Sequence, residues 1–333
     1  MNELRQSGTT ASLQPLIEVK NLEKHFPITQ GFWGKLAGVV RAVDRVSLTV
    51  YQGKTLGLVG ESGCGKTTAG RALLRLIEPT GGEVIYRGTD VLKVSPRELR
   101  RYRRKLQIVF QDPYSSLNPR ITVGGMLREI LQFHKIAPAN KIEGRVDELL
   151  DIVGLAPEHA RRYPHEFSGG QRQRVGIVRA LAVEPEFLVL DEPVSALDVS
   201  IQAQILNLLK DLQKKLNLSY LFISHALSVV DHISDETAVM YLGRVVESGP
   251  TPKIVAQPLH PYTQALMAAV PRTDPEQKVR REPLAGDVPN AMNPPSGCHF
   301  HPRCPVATPL CATWKYELKP TADGRKVACI LYY

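Results

Sequence analysis

Gly60-Glu61-Ser62-Gly63-Cys64-Gly65-Lys66-Thr67-Thr68 follows the apolar run Thr55-Leu-Gly-Leu-Val59. It fits G-x-x-x-x-G-K-[ST] at every fixed position. The apolar run reads as a buried strand. After the loop, Ala69, Ala72, Leu73, Leu76 and Ile77 fall on one face of a predicted helix. Strand, loop and helix come in the order that a phosphate-binding loop requires. Glycines let successive backbone N–H groups converge on phosphate oxygens, and the positive end of the new helix adds to the field there. Gly60, Ser62, Gly63, Cys64, Gly65, Lys66, Thr67 and Thr68 are therefore the expected nucleotide cradle. Lys66 would neutralise the β- and γ-phosphates, and Thr67 would ligate Mg²⁺. Cys64 is a passive loop residue whose thiol a nucleotide would shield.

A second buried strand, Phe187-Leu-Val-Leu190, ends in Asp191-Glu192. Asp191 would hold Mg²⁺ through its water shell, and Glu192 would orient and polarise an attacking water. Phosphoryl transfer needs mostly positioning and charge neutralisation, so two adjacent carboxylates at a strand end suffice. Taken alone, the same pair could be a surface acidic pair after a core strand. Ser195-Ala-Leu-Asp198 follows, then an amphipathic helix with Ile201, Ile205, Leu208, Leu209, Leu212 and Leu216 on its apolar face. A third strand, Tyr220-Leu-Phe-Ile223, ends in Ser224-His225, where a γ-phosphate contact fits. A further strand, Gln107-Ile-Val-Phe110, ends in Gln111, whose amide can bind both metal and water. Between the loop and the acidic strand lies Ser168-Gly169-Gly170-Gln171, the sign that a second domain of the same kind closes over the ATP.

These motifs, in this order and spacing, resemble the nucleotide-binding subunit of an ABC transporter over residues 16–255. In that family Gly60–Thr67 corresponds to the Walker A motif, Gln111 to the Q-loop and Ser168–Gln171 to the signature. Phe187–Asp191 corresponds to Walker B, Glu192 to the catalytic carboxylate, Ser195–Asp198 to the D-loop and His225 to the switch histidine. Phe26, in Lys24-His-Phe-Pro27, is similar to the aromatic that stacks on adenine; a core aromatic at a strand end is the other reading. Gln111-Asp-Pro-Tyr-Ser-Ser-Leu-Asn-Pro119, Arg162-Tyr-Pro-His-Glu-Phe167 and Leu259-His-Pro-Tyr-Thr-Gln-Ala-Leu266 narrow the resemblance to the dipeptide/oligopeptide importer ATPases, and to the second of the two such subunits. The residue after the switch histidine is often Asp in that family; here it is Ala226.

The resemblance implies a cytosolic ATPase that energises peptide import from the cytoplasmic face of the plasma or inner membrane. Its implied partners are a paralogous ATPase subunit, two membrane permease subunits and an extracellular or periplasmic peptide-binding protein. Each ATP would lie between the P-loop of one subunit and the signature of the other. Ser168, Gly169, Gly170, Gln171 and Asp198 would then act on the partner's nucleotide. Nickel, oligosaccharides, opines or glutathione are alternative cargoes for the same engine, and a soluble ATPase of DNA repair or translation is an alternative class.

The expected fold is α/β: a P-loop NTPase core with an antiparallel β subdomain, a helical subdomain at about 113–167 and a Pro-rich extension over 256–333. The 333 residues carry one set of motifs, which argues against a fused tandem ATPase. No stretch of about 18 apolar residues exists, so nothing should span a bilayer as a helix. Residues 1–15 are polar, lack an apolar signal core and read as a disordered lead. The net charge is +9. Its densest run, Arg97 to Lys105, reads as a solvated helix face, with lipid headgroups or a partner's acidic surface as the other possibility. No nucleic-acid-reading motif accompanies it.

Pro283, Pro289, Pro294, Pro295, Pro302, Pro305, Pro309 and Pro320 crowd the last 51 residues. Helices and central strands cannot absorb that density, so the extension should be loop-rich and stapled. Cys298, Cys304, Cys311 and Cys329 lie there, separated by five, six and seventeen residues. A cytosolic protein should not rely on disulfides, and four thiolates suit tetrahedral metal or an iron–sulfur cluster. The resemblance points to [4Fe–4S]; zinc and unliganded thiols are the alternatives. His299 and His301 could serve a zinc site or be exposed loop residues.

Overall fold

The computed structural model describes residues 14–30, 35–269 and 286–333. Pro15–Gln30 (β1) and Lys35–Tyr51 (β2) form a long antiparallel ribbon that opens the chain. Thr55–Val59 (β3) leads through the loop into Lys66–Leu73 (α1). Gly81–Tyr86 (β4) returns to pair with β1, and the two-residue Thr89–Asp90 (β5) completes a four-stranded sheet. Of the expected polar lead 1–15, residues 1–13 lie outside the described part, and Pro15 already belongs to β1. Proline is tolerated there because it stands first in its strand.

Pro96–Lys105 (α2) precedes Leu106–Val109 (β6), and Pro113–Ser116 (α3), Val123–Phe133 (α4) and Ile142–Ile152 (α5) build the helical region. α2 starts with a full capping box, Ser95 with Glu98. It buries only Leu99, which leaves Arg97, Arg100, Arg101 and Arg103 in solvent as a charged face. Gly169–Leu181 (α6), Phe187–Asp191 (β7), Val199–Leu216 (α7) and Ser219–Ser224 (β8) follow. The chain then runs through Leu227–Ile233 (α8), Glu236–Tyr241 (β9), Arg244–Pro250 (β10), Thr251–Ala256 (α9) and Pro261–Ala269 (α10). The last strands are the pairs Lys319–Pro320 (β11) and Lys326–Val327 (β12).

The main sheet runs β11-β12-β10-β9-β3-β8-β7-β6, and β9, β3, β8, β7 and β6 are parallel. Its central strands are apolar on both faces, as a sheet covered on both sides must be. Phe187, Val189, Leu221 and Ile223 face α1 and the β1–β2 ribbon; Leu188, Leu190, Tyr220 and Phe222 face α6, α7 and the helical region. Helix α1 ends at Leu73, earlier than its apolar pattern suggested, because Arg75 turns to φ 52° and leaves Leu76 exposed.

The extension is less independent than its composition suggested. β12 adds antiparallel to β10, pairing Glu247 with Val327, and Ala328 N–H donates to the Val246 carbonyl at 2.8 Å. Phe300 is 1% exposed and packs edge-on against Tyr241 with ring centres 5.3 Å apart. His299, expected to be exposed, is buried instead, its Nδ1 3.1 Å from the Leu242 carbonyl. The tail is thus seated in the main core. Pro283 lies outside the described residues.

Candidate active site

Parallel pairing lines up the carboxyl ends of four neighbouring strands. Val59 stands beside Ser224, Asp191 beside Ile223 and Val109 beside Leu190. The loop after β3, Gln111 after β6, Asp191-Glu192 at the end of β7 and His225 after β8 therefore meet, as ligand sites do at such strand ends. The resulting cleft of about 850 Å³ is lined by Ala42, Ser62, Gly63, Gly65, Lys66, Thr67, Thr68, Gln111, Glu192 and His225.

Gly65 precedes α1 at φ 106°, and a Cβ there would lie 2.0 Å from the Ala42 carbonyl oxygen. No other residue fits that turn. Lys66 is buried, its ammonium donating to the carbonyls of Gly60 (2.8 Å) and Glu61 (2.9 Å). Thr67 Oγ1 donates to Asp191 Oδ1 at 2.7 Å. Arg71, which the sequence reading passed over, stands 3.8 Å from Asp191 Oδ2, and that oxygen is buried without a hydrogen-bond partner among the described residues. Burial pushes the Asp191 carboxyl above its ordinary range, against the opposing pull of the Thr67 hydroxyl and the Arg71 charge. A buried carboxylate with an unfilled oxygen beside a threonine hydroxyl is a donor set that suits Mg²⁺.

Glu192 adopts φ 46°, rare for a side chain of its size, while its N–H still donates to the Ile223 carbonyl at 3.0 Å. Its Oε2 accepts from Gln111 Nε2 at 3.1 Å and lies 3.2 Å from His225 Nδ1. Three strand ends therefore converge on one carboxylate oxygen. His225 takes its orientation from Glu192, so the missing carboxylate at Ala226 leaves the ring with a partner. Ala226 opens α8 with no side-chain cap.

Other expected site residues lie elsewhere. The Cys64 thiol is buried beneath the loop, 3.8 Å from Lys66 Nζ, and burial raises its pKa; it does not line the cleft. Phe26 is 37% exposed on β1 with the Lys24 ammonium 4.9 Å from its ring centre, which removes the core-aromatic reading. Ser168 caps α6 in a capping box with Gln171, and Ser168, Gly169 and Asp198 are exposed. Neither the signature turn nor Asp198 lines this chain's own cleft.

The Asp191 carboxyl has a raised pKa in the fold, so its ionisation costs stability above the unfolded pKa and nothing below it. Asp191→Asn should raise the melting temperature of the nucleotide-free protein at neutral pH. The gain should fade as pH falls below the raised folded-state value and be gone below the ordinary aspartate value of about 4. The variant should lose the further stabilisation that Mg²⁺ adds with nucleotide. Melting curves across pH, with and without Mg²⁺, check all three outcomes.

The ABC transporter family profile matches residues 43–195, and the profile of the oligopeptide/dipeptide transporter C-terminal region matches residues 246–311. The chain is 50% identical to the oligopeptide transport ATP-binding protein AppF of Bacillus subtilis over 97% of this chain and 99% of that one. It is 53% identical to the probable peptide ABC transporter ATP-binding protein y4tS of Sinorhizobium fredii, over 94% and 89% respectively. The dimeric ATP-binding cassette MJ0796, solved in a post-hydrolysis state with ADP and Pi, superposes with a TM-score of 0.61 at 26% identity, covering 71% of this chain and 98% of that one. This chain joins a phosphate loop, a paired-carboxylate strand and a peptide-transporter tail and matches such relatives nearly end to end, so it belongs to the ATP-binding subunits of the oligopeptide/dipeptide ABC transporter family.

Proposed function

We propose that this chain binds and hydrolyses ATP to energise import of dipeptides and oligopeptides, as the second ATPase subunit of its transporter. The observation that carries this reading is the asymmetry of the site. Lys66, Thr67, Asp191, Glu192, Gln111 and His225 gather at one set of strand ends, while the signature turn, with Ser168 and Gly169 exposed, does not line the cleft they form. An ATP held by the first group needs a second surface to enclose it, and a paralogous subunit's signature turn supplies one. Lys66 is the cation available to the β- and γ-phosphates. Thr67 and Asp191 would hold Mg²⁺, which when bound would supply neutralisation of developing phosphate charge. Glu192 accepts a proton from the attacking water, with Gln111 and His225 holding its carboxylate. Phe26, exposed on β1, would be free to stack on the adenine.

Among the described residues no helix is long and apolar enough to cross a membrane. In this reading the subunit binds peripherally at the cytoplasmic face, its helical region on two permease subunits, with a separate binding protein selecting the peptide.

Glu192→Gln should leave ATP binding intact and slow turnover of the assembled transporter by ~10²–10⁴-fold, the usual contribution of a positioned base. ATPase assays with uptake of a labelled dipeptide check it. Undiminished hydrolysis at this subunit's site would remove Glu192 from the role.

Cys298, Cys304, Cys311 and Cys329 hold a [4Fe–4S] cluster in the same reading. All four line one cavity beside Phe300 and Trp314. Burial and the neighbouring thiols push Cys298 up to about 11, a cost that bound iron would offset. The Thr308 N–H donates toward Cys311 Sγ at 3.4 Å, a hydrogen bond of the kind that tunes cluster sulfurs. Among the described residues no three His, Cys, Asp or Glu side chains are grouped closely enough to hold a metal ion, so the assignment rests on the four thiols sharing one cavity. A cluster would staple a segment poor in regular structure. Anaerobically purified protein should be brown and carry about four iron and four sulfide per chain, as four thiolates around a cubane imply. Replacing any one of the cysteines by serine should lower that content. One zinc and no iron would overturn the assignment.

A further inference from the structure

The C-terminal extension touches the phosphate loop itself, at Glu61. The Glu61 main-chain N–H donates to the Tyr262 hydroxyl at 2.8 Å. Its carboxylate is gripped by both arms of the Arg303 guanidinium: Nη1 donates to Oε2 at 2.9 Å and Nη2 to Oε1 at 3.2 Å. The Arg303 side chain is only 6% exposed, and its Nη1 also donates to the Tyr241 hydroxyl at 3.4 Å. Phe300 packs against both tyrosines, with ring centres 5.3 Å and 5.4 Å away. On its other side the Glu61 carbonyl accepts from Lys66 Nζ at 2.9 Å and from Cys64 N–H at 3.3 Å. Glu61 is thus held by the tail through its side chain and by the loop through its carbonyl. It does not line the cleft.

We propose that Arg303 is a positioning residue for nucleotide binding: through its two-armed pair with Glu61, and with Tyr262, the extension holds the first turn of the phosphate loop in its binding shape. A glycine-rich loop loses much backbone freedom when it is fixed in one shape. If that freedom is not removed beforehand, the ligand must remove it on binding, and apparent affinity falls with the fraction of loops in the competent shape. A two-armed arginine–carboxylate pair fixes geometry as well as charge, and here the arginine is the buried partner. The pair therefore acts on every nucleotide whose phosphates use the loop amides. It does not discriminate the γ-phosphate.

The inference rests on the nucleotide site proposed above. The test therefore begins with ATP and ADP binding by the unaltered full-length chain, whose absence would defeat that reading and not this one. Arg303→Ala should then weaken ATP and ADP by the same factor, about tenfold, the size usual for coupled sites. In the assembled transporter KM for ATP should rise while kcat at saturation changes little. Lys66→Ala, by contrast, should cost ATP more than ADP. Arg303→Lys keeps the charge without the fork and should fall between. The double variant Arg303→Ala/Glu61→Ala should be no worse than the poorer single one. If Arg303→Ala does not fold, Arg303→Met keeps the buried stem and carries the same expectation. Unchanged affinities for both nucleotides in a folded variant, or losses that multiply in the double variant, would overturn the proposal.

Discussion

Every group of the candidate site hangs from the parallel register of β3, β8, β7 and β6. Asp191 faces the loop because it stands opposite Ile223, and Val59 delivers the loop because it stands opposite Ser224. Side chains alternate along a strand, so a slip of one residue in β7 would carry Asp191 to the other face and separate it from Thr67. The register is fixed by burial on both sides: Phe187, Leu188, Val189 and Leu190 are all 0% exposed. A strand with no polar face cannot slide without breaking packing above and below. The apolar core of this sheet is thus what places its few charged groups.

The site holds those charges at a cost. Asp191 is buried with one oxygen lacking a hydrogen bond, and Glu192 sits in a left-handed backbone conformation. Both features are unfavourable in isolation, and both persist because the strands on either side over-determine them. What they share is a direction: the unsatisfied oxygen and the turned carboxylate stand beside Thr67 and His225, where a metal ion and a terminal phosphate would relieve them. Conformational strain and unfilled hydrogen-bonding capacity therefore coincide with the residues on which hydrolysis would depend.

Much of this was legible in the chain. The run Thr55–Val59 appears as a strand with the bounds its pattern suggested, and the helices Val123–Phe133 and Ile142–Ile152 fall where a helical subdomain was expected. Lys66, Thr67, Asp191, Glu192, Gln111 and His225 could be found because fixed spacing to glycines or to an apolar run marks each. Arg71 carried no such mark; it reaches Asp191 only because α1 crosses the end of β7. The tail was hardest to read. Its prolines correctly forbade long elements, yet a loop can still be core when its few apolar groups find a shared cavity, as Phe300 does against Tyr241 and Tyr262. His299 and Arg303 look like solvent-facing loop residues and are buried, because the Leu242 carbonyl and the Glu61 carboxylate wait for them. Partners that lie 57 and 242 residues away leave no trace in local pattern.

The account depends most on the claim that the cleft is completed from outside the chain. Ser168 is exposed and caps its own helix, so enlarging it should not disturb the nucleotide cradle. Ser168→Arg would place bulk and misplaced charge where a partner's γ-phosphate docks. The decisive measurement pairs ATP affinity of the isolated variant with peptide uptake by the transporter that contains it. The account predicts unchanged ATP affinity and abolished uptake; loss of ATP binding by the isolated chain would contradict it, as would uptake at the normal rate.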